Sequence, residues 1–544
     1  MGERKLILGP PGTGKTTTMM GIIRELLSNG YAPDQIGFVS YSKASVGEAR
    51  DRVVKATGID SKRWPWFRTL HSCYAALQRF PKDAYLTAAD LRQLSRYSLS
   101  ARDETAEDGY DVPVADQESK RDDDMRAAMD WCRSRMVPAH HGVGRLRDRF
   151  AGQRYDDFVR DYNELRSRLG KYDHTDILES ALRGRVEIPV RVLIVDEAQD
   201  LSPLQAACVE LSFPRCDRVY VAGDDDQAIY EFQGSSPDWL ISLSLREDWT
   251  TRVLGQSWRC PEAVRSRAEK IARRMRNRAS KPYAAREGDG MYVTGVSVPD
   301  AIDIARRSTG SVLILCRSRK TCGQWGGALQ RRQVAYAIEA GGSSPFGSNG
   351  LRGVIDILRD LYDGNPVPAK RMQWMAASPW APSSTKADPG VIDRGGKARI
   401  KAIAKADPER MIDPHDPDDV ADCGLSGPVS TDPWELLASV RKWGDAAGDV
   451  RRDLRWIRAV WEESGEAWPE SMPTITTWHR SKGREADLVV IDPSLPYPAA
   501  LALMSPSTAD PEHRAAYVAL TRAKRAAVVV EGDPQARGHY DFPA

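Results

Sequence analysis

The sequence has no paired cysteine motif, no long apolar run and no marked excess of charge of either sign. Its eight cysteines are scattered and none forms a C-x-x-C pair, which argues against a zinc ribbon, a disulfide framework and an iron–sulfur cluster. No stretch approaches the roughly 18 apolar residues that span a bilayer, and residues 1–5 lack the profile of a signal peptide. We therefore expect a soluble, cytoplasmic protein with no membrane partner.

The charged residues nearly cancel, since 78 Lys and Arg residues face 76 Asp and Glu residues and leave a net charge of +2. This balance excludes a uniformly basic nucleic-acid coat protein and an acidic tail protein. It is compatible with a local basic groove, because the field depends on where the charges lie. At about 150 residues per domain, the 544 residues predict three or four compact units.

Short apolar, largely β-branched runs alternate with helical stretches along the chain. They lie at residues 5–9, 36–40, 191–196 and 218–223, and again at 311–315, 488–491 and 526–530. Strands that alternate with helices form parallel sheets covered on both faces. The sequence therefore predicts the α/β class, with two separate sheets.

Two polar, mainly helical stretches interrupt these runs and indicate insertions into the two α/β cores. The first is polar throughout, and the second is rich in Pro, Asp and Trp. We predict a first core from residues 1–75 and 181–255 with an insertion at 76–180, and a second core from 256–345 and 471–544 with an insertion at 346–470.

A glycine-rich pattern, G-x4-G-K-T, lies between the first predicted strand and the following helix. Glycines allow backbone N–H groups to turn toward phosphate oxygens, and the helix N-terminus adds positive charge. Lys15 would reach the β and γ phosphates, and Thr16 would hold Mg²⁺. The predicted phosphate-binding residues are Gly9, Pro10, Pro11, Gly12, Thr13, Gly14, Lys15, Thr16 and Thr17.

Two adjacent carboxylates, Asp196 and Glu197, end the predicted strand at residues 191–196. Asp196 would be a Mg²⁺ partner, and Glu197 would activate a water molecule. Acidic residues are also ordinary at solvated strand ends, so this pair alone leaves both interpretations open.

Four motifs occur in order along the chain, at residues 9–16, 196–199, 223–230 and 517–524. Together they resemble the motifs of UvrD/Rep/PcrA-type superfamily 1 DNA helicases, and the resemblance extends from residue 5 to residue 530. That family is built from two RecA-like P-loop NTPase domains, each with an insertion. The alternation of strands and insertions indicates the same organisation independently.

The resemblance implies an ATP site between the two cores, with ATP and Mg²⁺ as cofactors. Arginines from the second core would stabilise charge on the γ-phosphate, an aromatic ring would stack on the base and a glutamate would contact the ribose. The implied catalytic residues are Lys15, Asp196, Glu197, Gln227, Arg259 and Arg522, and the further nucleotide contacts are Trp258 and Glu485. Taken singly, each arginine would be interpreted as part of a surface ion pair.

The resemblance also implies DNA contacts, in which aromatic side chains stack on bases and polar groups bind the backbone. The implied residues are Tyr41, His71, Tyr230, Phe232, Arg317, Trp478 and His479. The alternative for the aromatic rings is that they fill the core, and for Trp478 the two interpretations are equally good. A run of arginines and a lysine between residues 265 and 278 is typical of a solvated helix face, and we assign it no role.

The sequence departs from the family pattern at three places. Gln233 stands where an arginine is usual, and Ala486 stands where an aromatic residue is usual. No glutamine lies among the eight residues before Gly9, where relatives read adenine. The choice between ATP and other nucleoside triphosphates therefore stays open.

These observations predict an ATP- and Mg²⁺-dependent helicase or translocase that moves 3′ to 5′ on single-stranded DNA and acts at single-strand/duplex junctions. A protein partner would bind through the second insertion. One alternative is a DNA-stimulated ATPase subunit that remodels or senses DNA–protein complexes without unwinding alone. Another is a nucleotide switch that binds no nucleic acid. Oligomeric state, and a pathway in repair, replication, recombination or defence, are not indicated by the sequence.

Overall fold

A computed structural model shows two six-stranded sheets, each made of parallel strands, with helices around them. The predicted α/β class is therefore confirmed. The structure describes residues 2–91, 93–94, 123–146, 152–340, 344–346, 350–378, 392, 395–423, 425, 432–439, 450–465, 468–469 and 472–544.

The first sheet has the strand order β3-β2-β4-β5-β1-β6, and its strands lie within the two segments predicted for the first core. Its strands and the helices that pack on it are β1 Glu3–Leu8, α1 Lys15–Ser28, β2 Ile36–Ser40, α2 Lys43–Thr57, β3 Phe67–Thr69, α3 Leu70–Leu77, and, after the first insertion, β4 Val192–Asp196, α8 Pro203–Glu210, β5 Arg218–Gly223, α9 Asp238–Leu243 and β6 Thr250–Val253.

Side chains on both faces of this sheet pack into hydrophobic clusters, since strands such as β1 are apolar at consecutive positions. Leu6 and Leu8 of β1 pack into one hydrophobic cluster, whereas Ile7 between them packs into another. Successive side chains of a strand point to opposite faces, so a continuous apolar run serves both layers. The polar residues that follow β1, β4 and β5 then lie together at the carboxyl edge of the sheet, the usual place for a ligand site in such folds.

The first insertion is helical and has a hydrophobic cluster of its own. Its helices are α4 Ala88–Leu91, α5 Asp123–Ser134, α6 Gly152–Leu169 and α7 His174–Arg183. Tyr155, Phe158, Tyr162 and Leu165 of α6 recur at helical spacing and pack in that cluster. The last helix, α7, packs instead on the first core, so the predicted boundary at residue 180 falls inside a helix.

The second sheet has the strand order β11-β14-β10-β15-β17-β9. The elements of this core are β7 Gln256–Pro261, α10 Glu262–Ala272, β8 Ala284–Arg286, β9 Met291–Val296, α11 Val298–Arg307, β10 Val312–Cys316, α12 Arg319–Arg331, β11 Ala337–Ile338, and, after the second insertion, β14 Thr474–Thr477, β15 Ala486–Ile491, β16 Ser494–Leu495, α19 Tyr497–Leu503, α20 Asp510–Leu520, β17 Ala523–Val530 and β18 Gly538–His539.

The second insertion shares a continuous hydrophobic cluster with one face of the second sheet. Ile314 of β10 and Val490 of β15 belong to the same cluster as Leu358 and Trp456 of the insertion. The elements of this insertion are α13 Leu351–Tyr362, β12 Val367–Pro368, α14 Ala369–Ala377, α15 Gly396–Ala406, β13 Met411–Ile412, α16 Pro417–Cys423, α17 Pro433–Ser439 and α18 Val450–Glu463.

None of the helices in the described ranges combines the length and the apolar character needed to cross a membrane.

Candidate functional site

The glycine-rich loop connects β1 to α1 at the carboxyl edge of the first sheet. Gly14 adopts a left-handed conformation, with φ of 82°, directly before the first turn of α1. A Cβ at Gly9 would lie 2.4 Å from Thr13 Oγ1, and a Cβ at Gly12 would lie 2.4 Å from Arg259 Cβ. The loop is therefore a tight backbone cradle at a helix N-terminus, which fits a polyphosphate.

Lys15 lies across this loop, and its Nζ donates a hydrogen bond to the Gly9 carbonyl at 2.6 Å. The carbonyl is uncharged, so a phosphate would be the stronger partner for this ammonium group. The placement of Lys15 agrees with the role predicted for it, and that role remains a prediction.

The two predicted carboxylates lie at the end of β4 in different electrostatic environments. Burial and the neighbouring Glu197 raise the pKa of Asp196 to about 7. Burial would also raise the pKa of Glu197, but the charges of Lys482 and Lys15 outweigh it and lower the pKa. A cation stabilises the charged form of a buried carboxylate whose pKa is raised, and Mg²⁺ prefers oxygen ligands. Glu197 is held in the left-handed region, with φ of 53°, and such strain in a residue other than glycine is concentrated at functional sites.

Gln227 joins the two cores. Its Nε2 donates to Asp224 Oδ2 at 2.7 Å, and its Oε1 accepts from Nη2 of Arg522 at 2.9 Å. Arg522 is almost fully buried, and burial together with the nearby charge of Arg259 lowers its pKa to about 10. A buried guanidinium group with a second, partly exposed one nearby fits an anionic ligand between the cores.

Strand β7 brings the second core onto the glycine-rich loop. Ser257 Oγ donates to the Pro11 carbonyl at 3.0 Å, and the Trp258 amide donates to the Gly12 carbonyl at 2.8 Å. The Trp258 side chain is 72% exposed beside the loop, which suits a ring that stacks on a base. Arg259 Nε donates to Glu485 Oε2 at 2.7 Å, so the two residues predicted to contact γ-phosphate and ribose are bound to each other.

Lys482 is a site residue to which the sequence analysis gave no role. Its Nζ donates to both carboxylate oxygens of Asp200, at 2.7 and 2.5 Å, and to the Gln227 carbonyl at 2.9 Å. It also lies 5.1 Å from the centre of the Tyr230 ring. Lys482 stands between His479 and Glu485, two residues to which the resemblance assigns roles, although no pattern in the sequence indicated its partner Asp200.

A second unpredicted contact lies at the three consecutive aspartates before Gln227. Lys281 is completely buried and forms ion pairs with Asp224, Asp225 and Asp226. Arg278 binds Asp226 through two hydrogen bonds of 2.8 Å. No local pattern in the sequence indicates this contact, because Lys281 stands in a short polar loop after α10.

Other residues of the basic run after residue 264 are paired with acidic neighbours. Arg265 pairs with Glu262 and Glu269, and Arg273 also pairs with Glu269. These exposed pairs agree with the interpretation of a solvated helix face.

Four of the predicted DNA contacts form a row of rings that crosses from one core to the other. Tyr41 stacks on Tyr230 with ring centres 5.5 Å apart, Tyr230 lies 6.3 Å from Phe232, and Phe232 lies 5.8 Å from the ring of His479. Phe232 is 39% exposed in this row. The Tyr41 hydroxyl donates to Gln233 Oε1 at 2.5 Å, so the residue that departs from the family pattern helps to hold the row.

The other three predicted DNA contacts lie elsewhere. Trp478 is 0% exposed and its Nε1 donates to the Leu315 carbonyl at 3.2 Å, so its prediction as a DNA contact is wrong and the ring fills the second core. His71 is buried against His174, and burial lowers its pKa to about 3. Arg317 binds Glu512 through two hydrogen bonds of 2.8 Å, so its charge is already paired. The prediction for Trp478 is therefore corrected, whereas the roles of His71 and Arg317, which lie outside the row of rings, remain predictions.

Comparison with known proteins identifies the family. Residues 1–246 match the UvrD/REP helicase N-terminal domain. UvrD2 of Mycobacterium tuberculosis (strain H37Rv), an ATP-dependent DNA helicase by name, is 23% identical over 576 aligned positions, which cover 95% of this chain and 75% of UvrD2. Residues 1–246 thus carry the N-terminal domain of the UvrD/Rep-like helicases, and the chain as a whole is similar to helicases of that family.

Other relatives in this helicase family match over shorter stretches. The ATP-dependent DNA helicase Rep of Salmonella typhimurium (strain LT2) is 24% identical over 65% of this chain and 56% of Rep. YjcD of Bacillus subtilis (strain 168) is 22% identical over 52% of this chain. The chain spans 38% of the length of YjcD and 56% of that of Rep.

The close contact between Gly12 and β7 predicts that one methyl group added at Gly12 weakens nucleotide binding. In Gly12→Ala the new Cβ would meet Arg259 Cβ at 2.4 Å and sit on a backbone with φ of 74°. Strain of this kind costs about 1–3 kcal/mol. We expect nucleotide affinity to fall roughly tenfold, which corresponds to about 1.4 kcal/mol, in titrations with a fluorescent ATP analogue.

Gly21→Ala is the matched control, because Gly21 lies within α1 and a Cβ there meets nothing within 4 Å. This variant should bind the analogue as the unaltered chain does. Unchanged affinity in Gly12→Ala would contradict the assignment of the loop.

Proposed function

We propose that this protein is an ATP- and Mg²⁺-dependent DNA helicase or translocase that moves 3′ to 5′ on single-stranded DNA. The observation that carries the proposal is the pair of polar contacts across the two cores, Arg522 with Gln227 and Lys482 with Asp200. Both contacts lie beside the predicted nucleotide site, so a bound nucleoside triphosphate would change how the two cores contact each other. The relatives' printed names, ATP-dependent DNA helicases UvrD2 and Rep, support the same activity.

The glycine-rich loop would bind the phosphates of ATP. Its backbone N–H groups, the N-terminus of α1 and Lys15 together supply positive charge at one place. Thr16 and Asp196 would hold Mg²⁺, which when bound neutralises charge that develops on the phosphate oxygens. The raised pKa of Asp196 supports this assignment, since a bound cation would stabilise the charged form of this buried carboxylate.

Glu197 would accept the proton of the attacking water. The charges of Lys482 and Lys15 lower its pKa, so the carboxylate is ionised and ready to accept a proton at neutral pH. Water oxygen would bond to the γ-phosphorus as the bond to the β,γ-bridging oxygen breaks, giving ADP and phosphate. Gln227 lies one hydrogen bond from Arg522, so both would be oriented on the reacting phosphate together.

Arg259 and Glu485 would be redirected by the nucleotide. Their ion pair places a guanidinium and a carboxylate side by side at the mouth of the loop. Phosphate is the more highly charged partner for Arg259, and a ribose hydroxyl can donate to the Glu485 carboxylate. Trp258, exposed beside them, would stack on the base, and stacking alone does not distinguish adenine from other bases.

The row of rings would bind single-stranded DNA. Phe232 offers an exposed face between Tyr230 and His479, and a base stacked on such a ring gains about 1–3 kcal/mol. Tyr230 in this row also lies under Lys482, whose ammonium group binds Asp200 beside the carboxylates of the nucleotide site. Lys482 would therefore transmit a change at the nucleotide site to the row of rings, or the reverse, over a few contacts. This arrangement supports coupling between hydrolysis and movement.

The direction of movement rests on the form of the segment at residues 223–230, which resembles the 3′ to 5′ branch of superfamily 1. Action at single-strand/duplex junctions, and a protein partner at the second insertion, are parts of the same proposal.

Lys15 provides the test of the nucleotide site. Lys15→Ala removes the ammonium group that would face the β and γ phosphates, and loss of one such stabilising group lowers turnover by about 10²- to 10³-fold. Phosphate release with saturating Mg²⁺ and ATP measures this change. Lys55→Ala, which removes an exposed lysine on α2, is the control and should hydrolyse ATP normally. Full turnover in Lys15→Ala would overturn the site assignment.

Strand displacement tests the function and its direction. Duplexes that carry a 3′ or a 5′ single-stranded tail, or none, are mixed with the protein, Mg²⁺ and ATP, and the released strand is measured. We expect release only from the 3′-tailed duplex, since the protein loads on the tail and moves 3′ to 5′ into the duplex.

The other outcomes of this assay identify the alternatives. Release only from 5′ tails contradicts the direction. ATP hydrolysis that single-stranded DNA stimulates, without strand release from any duplex, identifies a DNA-stimulated ATPase subunit that remodels complexes without unwinding alone. Hydrolysis that ignores added DNA identifies a nucleotide switch.

Phe232 provides the test of the DNA site. Phe232→Leu keeps an apolar side chain but removes the stacking face, so loss of about 1–3 kcal/mol should weaken single-stranded DNA binding roughly 5- to 150-fold. Half-maximal stimulation of ATP hydrolysis by oligothymidylate measures the change. Tyr497→Leu removes another exposed aromatic ring, 62% exposed on α19 and not part of the row, and should leave stimulation unaltered. Equal stimulation of both variants would contradict the role of Phe232.

A further inference from the structure

The loop that carries Phe232 is held from the side of the first insertion by three donors. Trp131 Nε1 donates to the Glu231 carbonyl at 3.0 Å, Arg145 Nη2 donates to the Phe232 carbonyl at 3.2 Å, and Arg135 Nη1 donates to the Ser235 carbonyl at 3.1 Å. We call Trp131, Arg135 and Arg145 the insertion clamp. The close approach requires glycine at position 234, where φ is 97° and a Cβ would lie 2.8 Å from Ser134 Cβ.

Within the part of the chain that the structure describes, the two arginines of the insertion clamp form no ion pair, although the charge of Arg135 acts on the nearby Glu231. Arg145 and Arg135 lie 4.4 and 5.2 Å from the Trp131 ring centre. Arg133 on the same helix differs, because it binds Asp173, Asp176 and Glu179. Acidic partners are thus available on this insertion, and the two arginines beside the loop do not use them.

The Phe232 loop itself supplies no cation for a nucleic-acid backbone. Glu231 is acidic and is bound by Arg514 of the second core, and the Gln233 amide accepts from Tyr41. Lys482, near the Tyr230 ring, is bound to Asp200, whereas the insertion clamp adds positive charge at the backbone of the Phe232 loop itself. A guanidinium group has five N–H donors, and the contact of Arg145 with the Phe232 carbonyl uses one of them.

We infer that Arg145, with Arg135 behind it, binds a backbone phosphate of the single strand whose base stacks on Phe232. Stacking on Trp131 fixes the plane of the Arg145 guanidinium, and a fixed planar fork matches the geometry of a phosphodiester. The exposed position of Arg145 leaves its remaining donors accessible to such a ligand. This inference rests on the proposed function and adds a phosphate contact to its DNA site.

The salt dependence of DNA binding tests the phosphate contact, because each phosphate neutralised by the protein releases counterions. For single strands the slope of log affinity against log salt concentration changes by about 0.7 per phosphate contact. Affinity of the full chain for oligothymidylate is measured by fluorescence anisotropy at several salt concentrations. In Arg145→Gln we expect binding to weaken roughly 3- to 10-fold near 0.1 M salt and the slope to fall in magnitude by about 0.7.

Three matched variants separate a phosphate contact from a merely structural clamp. Arg145→Lys keeps the charge and should restore the slope of the unaltered chain. Trp131→Phe removes the indole N–H but keeps a ring and both arginines, so its slope should not change. Arg160→Gln neutralises an arginine on the same insertion that is already paired with Asp157 and Asp161, and both affinity and slope should stay unchanged. The thermal unfolding midpoint of each variant confirms that it is folded.

The outcomes are distinct. Weaker binding in Arg145→Gln with an unchanged slope means that Arg145 only positions the loop, and it overturns the inference, as does unchanged binding. An unaltered chain that binds no oligothymidylate overturns the proposed function itself and the phosphate contact with it.

Discussion

The contact between Lys281 and three consecutive aspartates is the constraint on which the alignment of the two cores depends. Lys281 is buried, which alone would lower its pKa, but Asp224, Asp225 and Asp226 outweigh burial and raise it. Removing one partner of a buried ion pair costs about 3–5 kcal/mol, because the remaining charge has no water. Asp224 also accepts the Nε2 hydrogen bond of Gln227, so the group that faces Arg522 is oriented by the same cluster. The position of the proposed catalytic glutamine is thereby tied to a segment that enters from the second core.

Residues of the second core reach the first from both edges of the second sheet. Arg522 and Glu485 directly precede β17 and β15 at the amino edge, and His479 follows β14 at the carboxyl edge. A six-residue strand such as β15 spans roughly 20 Å at about 3.3 Å per residue. Residues 478–485 lead from one edge to the other, and Lys482 within them binds Asp200. A rigid movement of the second core would therefore alter the nucleotide side and the ring row together, which is the geometry that a coupled motor requires.

The sequence predicted the features that are encoded locally. Apolar runs located the strand that ends at Asp196 and the strands that precede Lys15 and Gln227, and the glycine pattern located the loop, because a tight cradle at a helix N-terminus admits few other residues. The partners of long-range contacts could not be predicted in this way. Arg259 and Glu485 are 226 positions apart, and Lys281 stands in a loop with no pattern of its own. Trp478 shows the same limit, since the sequence around it is the same whether its ring faces a groove or, as the structure shows, the core.

The interface between the cores is held mainly by charged and polar groups, whereas the interior of each core is apolar. Within the described ranges, the hydrophobic clusters belong to the first core, to the first insertion, or to the second core and its insertion, with Ala279 as a residue that enters the first-core cluster from the loop after α10. Separating apolar surfaces would expose them to water, at about 25 cal/mol per Å². The ion pair of Arg259 with Glu485, which lies within the second core beside the glycine-rich loop of the first and is partly exposed, can instead exchange one partner for water or for a phosphate. A nucleotide can therefore compete for the groups that join the cores without disturbing the packing inside either one, so that the cores can open and close as intact bodies.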